Sequence, residues 1–347
     1  MPAAPLREKS GLPNGVELID LQPDAARFQE EAVRGLLSSP KAIAPKYFYD
    51  NRGSELFERI TRLPEYYPTR TETSILEEHV DDLGALLGER WEMLELGSGS
   101  SRKTSILLDA SHGHGVYMPI DISREQLLAA AGSVAARYPA VHVVAVCADY
   151  SKRIPVPRSH AEARRIIFFP GSTIGNLEPV EAARFLSNIR EHLGEGDAAI
   201  IGVDLQKTPS VLLAAYNDSS GITARFNLNL LERMNRELGA NFDLRRFEHA
   251  AIYDVASGRI EMHLRSRGKQ RVRIGETTID FAAGETIHTE NSYKYTREGF
   301  GRMASEAGFQ VTDVWTDASR WFSVWILAAG ETSPASAATP AGETSYV

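Results

Sequence analysis

The sequence contains a single cysteine, Cys147, among its 347 residues. One thiol excludes an internal disulfide, and we therefore expect a reducing, cytoplasmic environment. The chain also lacks any apolar run of the roughly 20 residues that a membrane-spanning helix needs, so we expect no membrane partner. Residues 1–17 lack the apolar core of a secretory signal, and we expect a flexible N-terminal arm there.

Basic residues are fewer than acidic ones: the chain has 38 lysines and arginines and 46 aspartates and glutamates, which gives a net charge of −8. This balance argues against a nucleic-acid partner, because general affinity for nucleic acid requires a basic face. The nine histidines show no metal-ligand spacing such as H-E-x-x-H, so we expect no bound metal. The composition, 43% hydrophobic and 24% charged, is that of one large globular domain or two ordinary ones.

Segments of strand and helix character alternate between residues 71 and 206. Examples are the strand "WEMLELG", the helix "REQLLAAAGSVAARYP" and the strand "VHVVAVCAD". This alternation predicts an α/β fold with a mostly parallel sheet, helices on both faces and ligands at the carboxyl ends of the strands. The last apolar segments, "QVTDVWTD" and "WFSVWILAA", predict a hairpin that returns to this sheet.

The alternation gives way to a different pattern over residues 207–296, which read as two helices followed by β-like segments. We predict a second, smaller α+β domain that joins residues 18–70 to residues 207–296. The sheet domain then comprises residues 71–206 and 297–329. Residues 330–347 are rich in serine, threonine, alanine and proline and predict a disordered tail.

A glycine-containing turn, "LELGSGSSRKT", follows a predicted strand at residues 94–104. A phosphate-binding P-loop requires G-x-x-x-x-G-K-[ST], and Gly97 and Gly99 stand in the wrong positions for it. The NAD-type pattern G-x-G-x-x-G fails because residue 102 is arginine. What remains is the strand-Glu-x-Gly-x-Gly turn common in class I S-adenosylmethionine (SAM)-dependent methyltransferases, whose glycines let the backbone approach the cofactor.

Acidic residues at the next two strand ends support this interpretation. Asp121 ends the next strand, where a carboxylate can accept both ribose hydroxyl groups. Asp149 and Tyr150 end the third strand, where an acidic residue commonly meets the adenine amino group beside a ring. Signals at consecutive strand ends therefore predict SAM as the cofactor and S-adenosylhomocysteine as its product.

Long motifs along the chain carry a resemblance to a known family: "YFYDNRGSELFERITRLPEYYPTRTE", "ELGSGSSRKT", "FFPGSTIGNLEP", "AYNDSSGITARFNLNLL" and "TENSYKY". From about residue 25 to residue 327 the chain resembles the L-histidine Nα-methyltransferases of ergothioneine biosynthesis. The resemblance implies a Rossmann-like class I methyltransferase sheet and a second, substrate-binding domain made of two separated segments. It also implies transfer of three methyl groups in turn from SAM to the α-amino group of L-histidine, giving trimethylhistidine (hercynine).

The resemblance also implies roles for matching residues. The cofactor contacts are Gly97, Lys103, Asp121, Asp149 and Tyr150. Asn176 in "STIGN" and Tyr216 in "AAYND" hold the substrate carboxylate, and Asn176 is also a candidate catalytic residue. Tyr49 in "YFYD" lies near the amine. We hypothesise that Tyr49, with a water molecule, accepts the hydrogen bond of the amine and relays its proton outward.

The imidazole end of the substrate is assigned in the same way. Tyr66 in "LPEYYP" lies near the ring, and Glu290 and Ser292 in "TENS" bond its nitrogens. Buried polar groups of this kind reject side chains that cannot satisfy them, which favours histidine over phenylalanine or leucine. We expect Phe57 either to face the growing ammonium group, an attraction of roughly 0.5–2 kcal/mol, or to be a core residue.

Other functions remain open from the sequence. One is a SAM-dependent N-methyltransferase for another aromatic amino acid such as tryptophan. Glu290 argues against it, because indole has one N–H and no acceptor nitrogen. Another is a SAM-binding module without turnover, and a third is an NAD oxidoreductase, which lacks its third glycine. We expect the chain to act as a monomer on a small-molecule substrate.

Overall fold

A computed structural model describes residues 6–8, 12–21, 28–98, 102–111, 114–150, 152, 156 and 158–330. Residues 1–5 and 9–11 of the predicted arm, Gly99 of the glycine turn and the predicted tail from residue 331 lie outside these ranges. The strands are β1 Leu6–Glu8, β2 Val16–Asp20, β3 Lys41–Ala42, β4 Arg90–Leu96, β5 His114–Asp121, β6 His142–Cys147, β7 Arg164–Phe169, β8 Ala198–Asp204, β9 Phe247–Asp254, β10 Arg259–Ser266, β11 Gln270–Ile274, β12 Thr277–Phe281, β13 Thr286–Tyr293, β14 Phe309–Thr316 and β15 Phe322–Ala329. The α-helices are α1 Phe28–Leu37, α2 Asn51–Ile60, α3 Tyr67–Glu78, α4 Val80–Leu87, α5 Arg102–Ala110, α6 Arg124–Arg137, α7 Pro179–Arg190, α8 Pro209–Tyr216, α9 Ile222–Leu238 and α10 Arg297–Glu306.

Nine strands form the larger sheet, in the order β1-β2-β6-β5-β4-β7-β8-β15-β14. Neighbours from β2 to β8 in this order are parallel, whereas β15 is antiparallel to both β8 and β14. The chain runs from β4 outward through β5 and β6 and then returns to the other side of β4 with β7. Ligands of such sheets bind at the carboxyl ends of the strands near this reversal. The topology confirms the predicted Rossmann-like α/β fold and its returning C-terminal hairpin.

The larger sheet is buried on both faces, because successive side chains of a strand point to opposite sides. Along β4, Trp91 and Met93 belong to one hydrophobic cluster, whereas Leu94 and Leu96 belong to another. Helices α3 to α6 cover the first face, and α7 and α10 cover the second. Among the described residues, no helix has both the length and the apolar character needed to cross a bilayer.

A second hydrophobic core lies around a four-stranded sheet, β3-β13-β10-β9, with the two-stranded sheet β11-β12 beside it. Its buried residues come from the chain up to Tyr67, the first residue of α3, and from between β8 and α10. Phe48 stacks on Phe226 of α9 at a ring-centroid distance of 4.5 Å. Leu230 and Ile287 belong to the same cluster. Two segments far apart in the chain thus share one core, as the predicted second domain requires, and the exact domain boundaries stay predictions.

Strand β2 differs from what the sequence led us to expect for residues 1–17 and 18–70. It pairs in parallel with β6, with Val16 opposite Val143. Val16 and Leu18 are buried against the helices of the larger sheet. Residues 16–20 therefore belong to that sheet rather than to an arm or to the second domain. A strand this short, standing apart from the β/α alternation, gives too weak a local pattern to be placed from sequence.

Candidate active site

The turn after β4 brings the backbone close to the ends of β5 and β6. Gly97 has a φ of +75°, in the left-handed region that favours glycine. Its N–H donates to the carbonyl oxygen of Ile120 at 2.9 Å. A Cβ at Gly97 would lie 3.5 Å from Cε1 of Tyr150. The structure therefore brings together Gly97 and Tyr150, two of the predicted cofactor residues.

The other strand ends place two carboxyl groups near the Tyr150 ring. Asp121 is the last residue of β5, and the backbone N–H of Ser123 donates to its carboxylate at 2.9 Å. Burial raises the pKa of Asp121. Burial, together with the charges of Asp121 and Asp149, also raises the pKa of Tyr150. This edge of the sheet thus offers acceptors suited to hydroxyl groups and a ring face suited to a flat heterocycle, which fits an adenosine-containing cofactor.

Lys103, which the sequence assigns to the cofactor, has a protein partner. Its Nζ donates to Oε2 of Glu72 at 2.5 Å. Glu72 is only 1% exposed and also accepts from the N–H of Gly171 at 2.9 Å. A Cβ at Gly202 would overlap the Glu72 carboxylate, so this glycine makes room for the pair. Sequence reasoning missed Glu72, although it is the last residue of the motif that begins "YFYD". The cofactor contact of Lys103 stays a prediction.

Aromatic rings from separated segments form a cluster, here called the aromatic cluster, made of Tyr49, Phe57, Tyr66, Tyr216 and Phe226. The Tyr49 ring meets Phe57 and Phe226 at centroid distances of 5.8 and 5.9 Å. Tyr66 lies 6.3 Å from both Phe57 and Tyr216. The structure thus brings four predicted substrate residues together. It adds Phe226, which sequence reasoning missed because an apolar ring on a helix is usually a core residue.

Glu290 on β13 lies within electrostatic range of this cluster. Burial is the main cause of the raised pKa values of Tyr49, Tyr66 and Tyr216, and the charge of Glu290 raises each of them further. Burial raises the pKa of Glu290 itself to about 7, against an opposing effect of the Lys294 charge. Glu290 is 8% exposed, and no donor in the described part of the chain hydrogen-bonds its carboxyl group. A buried carboxyl group of this kind calls for a partner from outside the protein.

Ser292 and Lys294 follow Glu290 at alternate positions, which places all three on one face of the extended chain. The hydroxyl oxygens of Tyr216 and Ser292 lie 2.7 Å apart. Lys294 donates to Tyr216 at 3.0 Å and to Ser292 at 2.7 Å, and pairs with Asp204 at 2.9 Å. Sequence reasoning missed Lys294 and Asp204. The alternation in "TENSYK" is the signal that could have found the lysine.

Asn176 ends a short 3-10 helix, Thr173–Asn176, in the turn after β7, and its side chain is half-buried. The preceding residue, Gly175, packs directly on β13, since a Cβ there would lie 2.7 Å from the carbonyl oxygen of Tyr293. Asn176 is therefore next to the strand that carries the residues assigned to imidazole. Its contact with the substrate carboxylate stays a prediction.

Residues predicted for the cofactor and residues predicted for the substrate both act on the pKa of Tyr49. Its pKa is raised first by burial, then by the charge of Glu290, with further effects of Tyr66 and Tyr150. Tyr150 lies over the glycine turn, and Glu290 lies on β13. Tyr49 therefore lies within electrostatic range of both Glu290 and Tyr150, and its contact with the substrate amine stays a prediction.

Comparisons with known proteins identify the family of this chain. A family model described as "Histidine-specific methyltransferase, SAM-dependent" matches residues 28–329. A histidine N-alpha-methyltransferase of Mycolicibacterium smegmatis is 43% identical over 304 residues, covering 84% of this chain and 94% of that protein. The histidine N-alpha-methyltransferase of Mycobacterium tuberculosis is 41% identical over 307 residues, covering 87% and 94%.

A more distant relative is named for a different substrate. The 4-dimethylallyltryptophan N-methyltransferase of Claviceps purpurea is 26% identical over 315 residues, covering 83% of this chain and 91% of that protein. The family model and the mycobacterial relatives nevertheless span most of the chain. They confirm the predicted family, reaction class and cofactor: the chain belongs to the SAM-dependent, histidine-specific methyltransferases.

Proposed function

We propose that this protein transfers three methyl groups in turn from SAM to the α-amino group of L-histidine, giving hercynine for ergothioneine biosynthesis. The observation that carries the proposal is the Glu290 carboxyl group, which is buried and has no donor among the described residues. Ser292 lies two positions further along the same strand. The pair suits imidazole, because the carboxylate accepts one ring N–H and the hydroxyl serves the second ring nitrogen.

The proton affinity of Glu290 also suits an imidazole partner. Burial raises its pKa to about 7, close to the value of about 6.5 for an imidazole side chain. When the ring holds the proton that the two groups share, the hydrogen bond joins an imidazolium to a carboxylate and is charge-assisted. Apolar side chains leave the carboxyl group without a donor, and such sites discriminate by as much as roughly 10⁴-fold.

At the other end of the substrate, we propose that Asn176 and Tyr216 bind the carboxylate. Burial and the charge of Glu290 keep the pKa of Tyr216 well above its usual value, so its hydroxyl stays a neutral donor. Both groups that contact the carboxylate are therefore neutral hydrogen-bond donors. All groups of this proposed site come from one chain, and we propose that a monomer is sufficient for activity.

Bound SAM supplies an electrophilic methyl group, and the attacking amine must point its lone pair at that carbon. Holding two reactants at near-attack distance can contribute roughly 7–11 kcal/mol to lowering the barrier. Tyr49 is the proposed contact of the amine. Burial keeps its hydroxyl protonated, so Tyr49 takes part in a proton relay as a neutral group rather than as an ionised base. Phe57, at 5.8 Å from the Tyr49 ring, offers its face to the growing ammonium group.

A tryptophan derivative is the second candidate substrate, because one relative is named for such a substrate. Indole offers one N–H and no acceptor nitrogen. Bound in this site, its single N–H can reach Glu290 or Ser292 but not both. If it donates to Ser292, the buried Glu290 carboxyl group stays without a donor, at a cost of about 1–3 kcal/mol, whereas Ser292 already has Tyr216 and Lys294 as partners. The pair of polar groups therefore favours histidine.

Mass spectrometry of reaction mixtures tests the proposal. The purified chain is incubated with SAM and, separately, with L-histidine, L-tryptophan and L-phenylalanine. We expect mono-, di- and trimethylated histidine to form in turn. Glu290→Gln should lose most of this activity, and Glu261→Gln, on the neighbouring strand β10, should keep it. Methylated tryptophan without methylated histidine would replace the proposed substrate, and no methylated product from any acceptor would favour a binding module.

A further inference from the structure

A buried lysine lies behind the proposed substrate site. The Lys294 side chain is 0% exposed, and its Nζ lies 2.9 Å from Oδ2 of Asp204, 3.0 Å from Oη of Tyr216 and 2.7 Å from Oγ of Ser292. An ammonium group has three N–H donors and no acceptor. These contacts use all three donors. Lys294 therefore acts on a ligand only through the two hydroxyl groups that it contacts.

The hydroxyl groups of Tyr216 and Ser292 have two protons to share between themselves and a ligand. Tyr216 and Ser292 bring one O–H each, and their oxygens are 2.7 Å apart, so one O–H is used between them. Lys294 occupies an acceptor position on both oxygens and cannot accept either proton. One proton is left for a ligand. It comes from Tyr216 when Ser292 donates to Tyr216, and from Ser292 in the reverse arrangement.

We propose that Lys294 is a positioning residue that makes Tyr216 and Ser292 act as one donor and one acceptor toward the bound amino acid. The inference rests on the proposed function, in which Tyr216 donates to the substrate carboxylate. Ser292 must then donate to Tyr216, and its remaining lone pair accepts an N–H of the ring. Because the Glu290 carboxylate accepts the other ring N–H, histidine binds with both ring nitrogens protonated. The two ends of the substrate are thereby linked: a ligand that presents a carboxylate at Tyr216 must present a ring N–H at Ser292.

The surroundings of Asp204 provide a matched control. Although burial favours its neutral form, the charges of Lys294 and Lys207 hold the pKa of Asp204 below its usual value. Lys207 is 5% exposed and pairs with the same carboxylate at 2.5 Å. Its other side-chain partner is the hydroxyl of Tyr67, at 2.7 Å. Removing Lys207 thus takes the same charge from Asp204 without touching either hydroxyl of the proposed pair.

A double-variant cycle on histidine affinity tests the proposal. Affinity is measured by calorimetry with S-adenosylhomocysteine present, so that no turnover occurs. Lys294→Met leaves Asp204 paired with Lys207, and we expect about tenfold weaker binding of L-histidine, since two directed hydrogen bonds are loosened. In the Tyr216→Phe/Ser292→Ala background, Lys294→Met should change affinity by less than about twofold. Lys207→Met should have the same effect in both backgrounds.

Each outcome decides a different point. An equal loss from Lys294→Met in both backgrounds, or no loss in either, overturns the positioning role. Failure of the unsubstituted chain to bind histidine refutes the proposed function instead. Binding of S-adenosylhomocysteine shows whether Lys294→Met folds. If it does not, histidine affinity is compared among Tyr216→Phe, Ser292→Ala and the double variant, and this second cycle tests the proposal. A shared proton predicts that the double variant loses less affinity than the product of the single losses, and independent losses overturn the proposal.

Discussion

Replacing Glu290 with glutamine tests whether its carboxyl group serves ligand binding at the expense of the stability of the fold. Burial raises the pKa of this group from 4.5, the ordinary value, to about 7. Between pH 4.5 and about pH 7, the Glu290 carboxyl group holds a proton in the folded protein that it has released in the unfolded chain. The free energy of unfolding therefore falls as the pH rises through this window and is lowest above it.

The size of the effect follows from the pKa. A rise from 4.5 to about 7 corresponds to roughly 3 kcal/mol of lost stability at a pH well above 7. Glutamine has nearly the same shape and no charge, so E290Q avoids this loss. We expect the stability gain of E290Q over the unsubstituted chain to be near zero at pH 4 and to approach roughly 3 kcal/mol at pH 8.5. Histidine should stabilise E290Q less, because its affinity falls.

Urea unfolding curves at several pH values, with and without L-histidine, measure both effects. Glu261→Gln is the control. Burial would raise the pKa of Glu261, but hydrogen bonds from His263 and Arg259 outweigh it and lower that pKa. Removing this charge should therefore destabilise the protein at pH 8.5, the opposite sign. The same pH dependence in E290Q as in the unsubstituted chain would show that the ionised carboxyl group carries no penalty in the empty site, and the reasoning would fail.

Three further substitutions test other parts of the site. Gly97→Ala forces a side chain into a left-handed conformation beside Tyr150, and we expect about 1–2 kcal/mol lower stability in thermal unfolding and weaker SAM binding in calorimetry. Tyr49→Phe keeps the ring but removes the hydroxyl, and should slow at least one methylation in time-resolved mass spectrometry; full turnover for all three would remove the relay role. Phe226→Leu loosens the aromatic cluster, and should cost roughly 1 kcal/mol of stability and raise the KM for histidine, with SAM affinity retained as the check on folding.

The larger sheet could be predicted because its signal is local. Each central strand is an apolar run followed by an amphipathic helix, and the burial of such a strand on both faces is encoded in its own residues. The position of β2 could not be predicted in this way. Its five residues, Val16–Asp20, join the sheet by pairing with β6, a contact between segments far apart in the chain.

The chemistry of the site could be predicted only where a family motif marks it. Glu290 and Ser292 were assigned through "TENS", and the structure places them by the aromatic cluster. Phe226 and Lys294 lie within quoted motifs, but the resemblance assigns neither of them a role. A phenylalanine on an amphipathic helix is usually a core residue, and a lysine at a strand end is usually solvated. Their roles depend on tertiary contacts, with Tyr49 for the first and with Asp204 for the second.

Other buried glutamates show why Glu290 points to a ligand. Glu72, Glu92 and Glu95 are 1%, 0% and 2% exposed. Each accepts hydrogen bonds from two groups of the protein, and these donors offset the loss of hydration. Glu290 lacks such donors in the described chain. The nearby charge of Lys294 opposes the effect of burial, but the pKa of Glu290 is still raised. A fold shaped by stability alone would hold a neutral residue there, so the carboxyl group is best explained by a ligand whose N–H completes its hydrogen bonding.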